Sequence, residues 1–142
     1  MTDQRRRILI VDDYVDSLES WALYFTMCGF EVLTAGDGEA AVRIARASRP
    51  DIALLDLDLP IMTGVEAARQ LRAAEETRLL PLIATTGYSG GTRFTDAQSA
   101  GFDRILVKPC DPSKLLAEIE QLLAARLASD RSAGGHPPAT PR

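Results

Sequence analysis

The sequence is poor in the residues that build soft-metal and disulfide chemistry: two cysteines, Cys28 and Cys110, and a single histidine, His136, in 142 residues. The cysteines have no metal-ligand spacing, which leaves zinc chemistry almost no support, and they read as free thiols of a reducing compartment. No apolar run approaches the roughly 18 residues that a membrane-spanning helix needs. The stretch from Met1 to Arg7 is polar and basic, and no apolar signal core follows before Asp12 and Asp13, so a cytoplasmic chain is expected. Acidic residues outnumber basic ones, 20 to 16. A net charge of −4 and a pI near 5.0 argue against a nucleic-acid surface. The one basic cluster, Arg5, Arg6 and Arg7, reads as a solvated lead-in to the first strand.

What is present is a regular alternation. Ile8 to Val11, Ile52 to Leu55, Leu82 to Ala84 and Ile105 to Val107 are short apolar runs without polar alternation, as expected for parallel strands covered on both faces. The run from Glu31 to Ala35 is weaker and reads as an edge strand. Between the strands lie segments of helical spacing. Val15, Leu18, Ala22 and Phe25 mark a first helix that Gly29 ends. Asp37 caps a second, with Ala41, Ile44 and Ala45 inward and Pro50 as its stop. A third begins near Gly64 and turns Val65, Ala68 and Leu71 inward, and Pro112 starts a fifth that carries Leu115, Leu116, Ile119, Leu122, Leu123 and Leu127.

The segment from Tyr88 to Ala100 is filled with mediocre helix formers behind Ser89, Gly90 and Gly91, and predicts a short, loosely held fourth helix. From Ser129 the chain is rich in Pro, Gly and Ser, and a flexible tail is expected over 129–142 after one domain over 1–128. Five strands and five helices in strict alternation, joined by right-handed crossovers, give a doubly wound α/β sandwich of three layers, flavodoxin-like, in the strand order 2-1-3-4-5.

Functional groups in such folds gather at the carboxyl ends of the strands. Those ends carry Asp12 and Asp13, then Asp56, then Thr85 and Thr86, and finally Lys108. Each residue alone has an ordinary structural use, but four such strand ends together point to chemistry. Carboxylates about 4 Å apart repel by about 4 kcal/mol at an effective dielectric near 20, so three in one crevice call for a cation. Oxygen-only ligands with room for water and phosphate suit Mg²⁺. With the metal and Lys108 on opposite sides, an incoming phosphoryl group is neutralised while an Asp oxygen attacks in line, and the product is an aspartyl phosphate.

Several segments carry a family resemblance: Ile-Leu-Ile-Val-Asp-Asp from Ile8, Asp-Gly-Glu-Ala-Ala from Asp37, Leu-Leu-Asp-Leu-Asp-Leu-Pro-Ile-Met-Thr-Gly from Leu54, Ile-Ala-Thr-Thr-Gly-Tyr from Ile83, and Gly-Phe-Asp-Arg-Ile-Leu-Val-Lys-Pro from Gly101. From about Arg7 to Leu127 the chain resembles the receiver domain of the bacterial response-regulator family, in its single-domain form. The resemblance implies Asp56 as phosphoacceptor, Asp13 as a direct metal ligand, Asp12 as an outer or water-bridged one, and Asp58 as a ligand through its backbone carbonyl. It places Thr86 and Lys108 on the phosphoryl oxygens and implies a cis Lys108-Pro109 bond. Strand alternation sends Thr85 to the other side.

One departure stands out. Many family members have an aromatic switch residue three positions before the lysine, where this chain has Ile105. A shift of the fourth helix and its Gly90-Gly91 lead-in is the alternative readout, while Asp58 and Tyr88 occupy positions that influence phosphate lifetime in the family. The implied partners are a histidine kinase or histidine phosphotransfer protein, and a downstream protein target on the fourth helix, fifth strand and fifth helix. No nucleic-acid or membrane partner is expected. The chain is expected to be a monomer or weak homodimer, and to catalyse only its own phosphorylation and dephosphorylation. Tyr14 and Trp21 are candidates for kinase contact, with packing expected of Trp21. Leu116 and Leu123 are candidates for a partner face, with core burial expected.

Two other readings compete. Asp56-Leu57-Asp58 fits the Asp-x-Asp of haloacid-dehalogenase-type phosphatases, but that family places the motif after its first strand and further acids after the lysine. A pseudo-receiver that binds without phosphorylation is opposed by the intact acid, hydroxyl and lysine positions. The chain also reads as a receiver excised from a larger protein, with the Pro-rich tail as linker.

Overall fold

The computed structural model of the chain describes residues 5–87 and 92–135. Five strands, β1 (Arg7–Val11), β2 (Glu31–Ala35), β3 (Ile52–Asp56), β4 (Leu82–Thr86) and β5 (Arg104–Val107), alternate with five helices, α1 (Val15–Met27), α2 (Gly38–Ser48), α3 (Gly64–Ala73), α4 (Thr92–Ala100) and α5 (Pro112–Gly135). All strands are parallel, in the order β2-β1-β3-β4-β5. This is the doubly wound, flavodoxin-like topology that the alternation predicts.

The period of two along each strand divides the core. Ile8, Ile10, Ile52, Leu54 and Ile83 face a layer built on Phe25, Phe30, Leu115, Ile119 and Leu122, under α1 and α5. Leu9, Val11, Ala53, Leu55, Leu82 and Ala84 face α2, α3 and α4, where Ala41, Ala45, Ala67, Ala68 and Ala97 let the helices lie close to the sheet. β3 and β4 are buried along their whole length. β2 and β5 are the half-covered edges.

Local chemistry sets the helix ends. The Asp37 side chain accepts from the Ala40 N–H at 2.7 Å, and Arg49 closes α2 in the left-handed region before Pro50. Thr63 and Glu66 form a reciprocal capping box at the start of α3. Leu116 and Leu123 pack against the α1/α5 layer, as does Trp21, which stacks on Phe25.

Two apolar positions differ from the expectation. Val15 is 61% exposed, because α1 starts at the sheet's rim, and Leu127 is exposed, because α5 outruns the sheet. α5 is helical through Gly135, so its backbone runs past Ser129. Residues 136–142 of the expected tail lie outside the described residues, as do Tyr88 and the Gly90-Gly91 lead-in. Among the described residues no helix is long and apolar enough to cross a membrane.

Candidate functional site

The strand order reverses between β1 and β3, and Asp12, Asp13 and Asp56 stand at the carboxyl ends of those two strands. Oxygens from the three carboxylates lie within 4.8 Å of one another. Asp12 and Asp56 are 7% and 5% exposed, whereas Asp13 faces solvent, so the cluster opens on one side. Lys108, just past β5, crosses to them: its Nζ donates to Asp56 Oδ2 at 2.8 Å and to Asp12 Oδ2 at 3.4 Å. The Lys108-Pro109 peptide is cis.

Both buried carboxylates are aimed by the backbone two residues on. The Tyr14 N–H donates to Asp12 Oδ1 and the Asp58 N–H to Asp56 Oδ1, each at 2.9 Å. These are Asx turns, the signal that an Asp at a strand end carries and that composition alone does not expose. Asp58 itself is exposed and its carboxylate stands outside the cluster of three. Thr86 is buried at the end of β4, on the side of Leu82 and Ala84. Thr85 turns to the α1/α5 side, where it lines a small cavity with Ile10, Asp12, Trp21, Leu54 and Lys108. Ile105 is half-buried against the α2/α3/α4 layer. Tyr14 is exposed at the rim.

Gly64 is a part of the site that motif reading leaves without a reason. A Cβ there would fall 2.5 Å from the Asp56 carbonyl oxygen, so only glycine lets α3 start this close to the phosphoacceptor candidate.

Burial pushes the Asp56 carboxyl above the usual carboxylate range, and the hydrogen bonds from Lys108 and the Asp58 N–H only partly offset it. Burial also works against the Lys108 ammonium, but the Asp56 hydrogen bond and the Asp56 and Asp12 charges outweigh it and raise its pKa. Three carboxylates face one ammonium, and the donors are all hard oxygens with an open flank at Asp13. That donor set fits a Mg²⁺ ion held by Asp12, Asp13 and Asp56.

An open parallel sheet with an acidic crevice at its switch point defines a class of proteins, and the comparisons give the family. The model of the response regulator receiver domain matches residues 8–120. This chain belongs to that family, the receiver domains of two-component systems. The transcriptional regulatory protein PrrA of Mycobacterium tuberculosis is 37% identical over 120 residues, which cover 84% of this chain and 51% of PrrA. The DNA-binding response regulator MtrA of the same organism is 33% identical over 123 residues, covering 87% and 53%. The chain thus spans about half the length of the curated relatives it matches.

Solved structures are similar over nearly their whole length. A CheY-like receiver domain protein from Methanospirillum hungatei has a TM-score of 0.84 at 28% identity, covering 89% of this chain and 99% of that one. The receiver domain of the sensor histidine kinase PA1611 from Pseudomonas aeruginosa, solved with a magnesium ion coordinated in its active-site cleft, has a TM-score of 0.80 at 29% identity, covering 84% and 98%.

Proposed function

We propose that this chain is a phosphoryl-accepting switch that takes a phosphoryl group on Asp56 from a histidine kinase or histidine phosphotransfer protein. The observation that carries the reading is Lys108 Nζ at 2.8 Å from Asp56 Oδ2, beside the carboxylates of Asp12 and Asp13. An Asp56 oxygen attacks phosphorus, the bond from phosphorus to the donor's imidazole nitrogen breaks, and the imidazole leaves as it regains a proton. Lys108 moves its hydrogen bonds from the carboxylate to the phosphoryl oxygens, and the Thr86 hydroxyl donates to another of them. Asp12, Asp13, Asp56 and the backbone carbonyl of Asp58 would hold a Mg²⁺ ion, which would supply charge neutralisation for the phosphoryl oxygens.

The Asp58 N–H keeps the second Asp56 oxygen fixed, so the attacking oxygen is defined. Water attack on the aspartyl phosphate reverses the switch. These two reactions on itself are the chain's only catalysis. The signal leaves by protein contact through α4, β5 and α5, in the cytoplasm.

Intact mass tests the reading. After incubation with Mg²⁺ and acetyl phosphate, the chain gains the mass of one phosphoryl group, and Asp56→Asn does not. An adduct that persists in Asp56→Asn, or wild-type protein that stays unmodified, overturns it.

A further inference from the structure

We propose that Ile61 is a specificity-determining contact for the protein that hands a phosphoryl group to Asp56, an inference that rests on the function proposed above. The backbone gives the first reason. The Met62 N–H donates to the Pro60 carbonyl at 2.6 Å, closing a turn of three residues around Ile61, whose φ is +67°. A γ-turn of this sign is strained, and a β-branched residue at positive φ is an outlier. The side chain gives the second: Ile61 is 76% exposed. One residue therefore combines an unfavourable backbone with an apolar side chain that the described residues leave three-quarters exposed. Strain kept at such a place points to a use.

The flanks hold the turn closed. Leu59 is buried before it, and Met62 packs against the α2/α3/α4 layer after it. A Cβ on residue 38 would collide with the Met62 carbonyl, so Gly38 makes room for it. Thr63 then caps α3 and the Gly64 N–H returns to the Leu57 carbonyl at 3.2 Å. With both ends pinned, Ile61 stands out from the turn.

Its place says toward what. Ile61 lies on the loop that leaves β3 directly after Asp56, and the exposed Tyr14 and Val15 follow β1, the neighbouring strand, at the same end of the sheet. Exposed apolar side chains therefore stand on the rim at the sheet's carboxyl end, with Glu66, Arg69 and Gln70 of α3 beside Ile61. A phosphohistidine can react only when its phosphorus reaches Asp56, which brings the protein surface around that histidine over this rim. With Mg²⁺ bound, as the function proposed above requires, the three carboxylates balance the ion and the Lys108 ammonium, so the crevice exerts little net long-range pull and a contact on the rim adds to it. The occupant is a phosphohistidine protein with an apolar surface beside its histidine.

The experiment separates donor recognition from chemistry. Each histidine kinase and phosphotransfer protein of the source organism is phosphorylated with labelled ATP, and the one that phosphorylates the wild-type chain fastest serves as donor. Ile61→Gly keeps the turn without strain and removes the side chain. We expect its KM for that donor to rise about tenfold, the loss of one apolar contact residue, with little change in maximal rate. Ile61→Asn, which also tolerates positive φ, behaves alike, and Ile61→Leu recovers most of the affinity.

With acetyl phosphate and Mg²⁺ all variants react as the wild type does. An unchanged KM, an equal loss with acetyl phosphate, or the absence of any protein donor faster than acetyl phosphate overturns the proposal. Wild-type chain that acetyl phosphate fails to modify sinks instead the function on which it rests.

Discussion

Asp56 holds its charge against burial. Its pKa is raised, chiefly by desolvation, so the folded chain gives up this proton less readily than the unfolded one. Its contribution to stability is therefore present below the ordinary carboxylate range and is lost as pH rises through the raised value. Asp56→Asn cannot ionise. In buffer free of divalent cations it melts at or above the wild type near neutral pH, and the difference closes in acid. Thermal melts across that range check the sign; an Asn variant that melts lower at neutral pH would show that the Lys108 pair outweighs burial. Sequence reading reaches the strand ends but stops short of this balance. That Lys108 spans to Asp56 and Asp12 from 52 and 96 residues away is a matter of how far a side chain reaches across β3 and β4.

At the scale of elements, one side chain ties α3 to the turn between α4 and β5. The Arg72 guanidinium donates to the Gly101 carbonyl at 3.1 and 2.6 Å, to the Leu80 carbonyl at 2.6 Å, to the Arg78 carbonyl at 3.0 Å and to Asp103 Oδ2 at 3.2 Å. Asp103 in turn accepts from the Leu82 N–H at 2.8 Å, at the start of β4. Burial lowers the Arg72 pKa, with Asp103 opposing, yet an arginine stays charged in proteins. Arg72→Ala takes this donor from the two part-buried carbonyls of Gly101 and Leu80 and costs about 1–3 kcal/mol, read from urea unfolding. Arg72→Lys recovers only part, since an ammonium lacks the planar fork. Nothing in the helical spacing of α3 marks this arginine, because its partners are carbonyls of other elements.

For the whole molecule, the ends of the fold are joined by charge. Arg6, ahead of β1, makes two hydrogen bonds to Glu120 on α5, at 2.8 and 3.0 Å, and lies over the Phe30 ring. The Arg6 hydrogen bond holds the Glu120 carboxyl below its usual range, against a smaller effect of burial. A depressed carboxyl stabilises above its unfolded value, and that stability is lost as pH falls through the folded one. Both side chains are nearly half exposed, so Glu120→Gln costs only about 0.2–1 kcal/mol at neutral pH. The cost vanishes in acid and shrinks in high salt, as urea midpoints at several pH values will show. By itself the sequence determined the five-stranded order, the two-sided strands and the gathering of Asp12, Asp13, Asp56 and Lys108 at one end. Hydrophobic period and strand-end placement are local properties of a parallel α/β chain. Only the tertiary structure decided that Lys108 grips two carboxylates, that Val15 lies outside the core, that Arg72 locks three elements, and that Ile61 stands out in a strained turn. Each depends on where residues distant in sequence, or on either side of a loop, are held by packing, and no window along the chain contains that information.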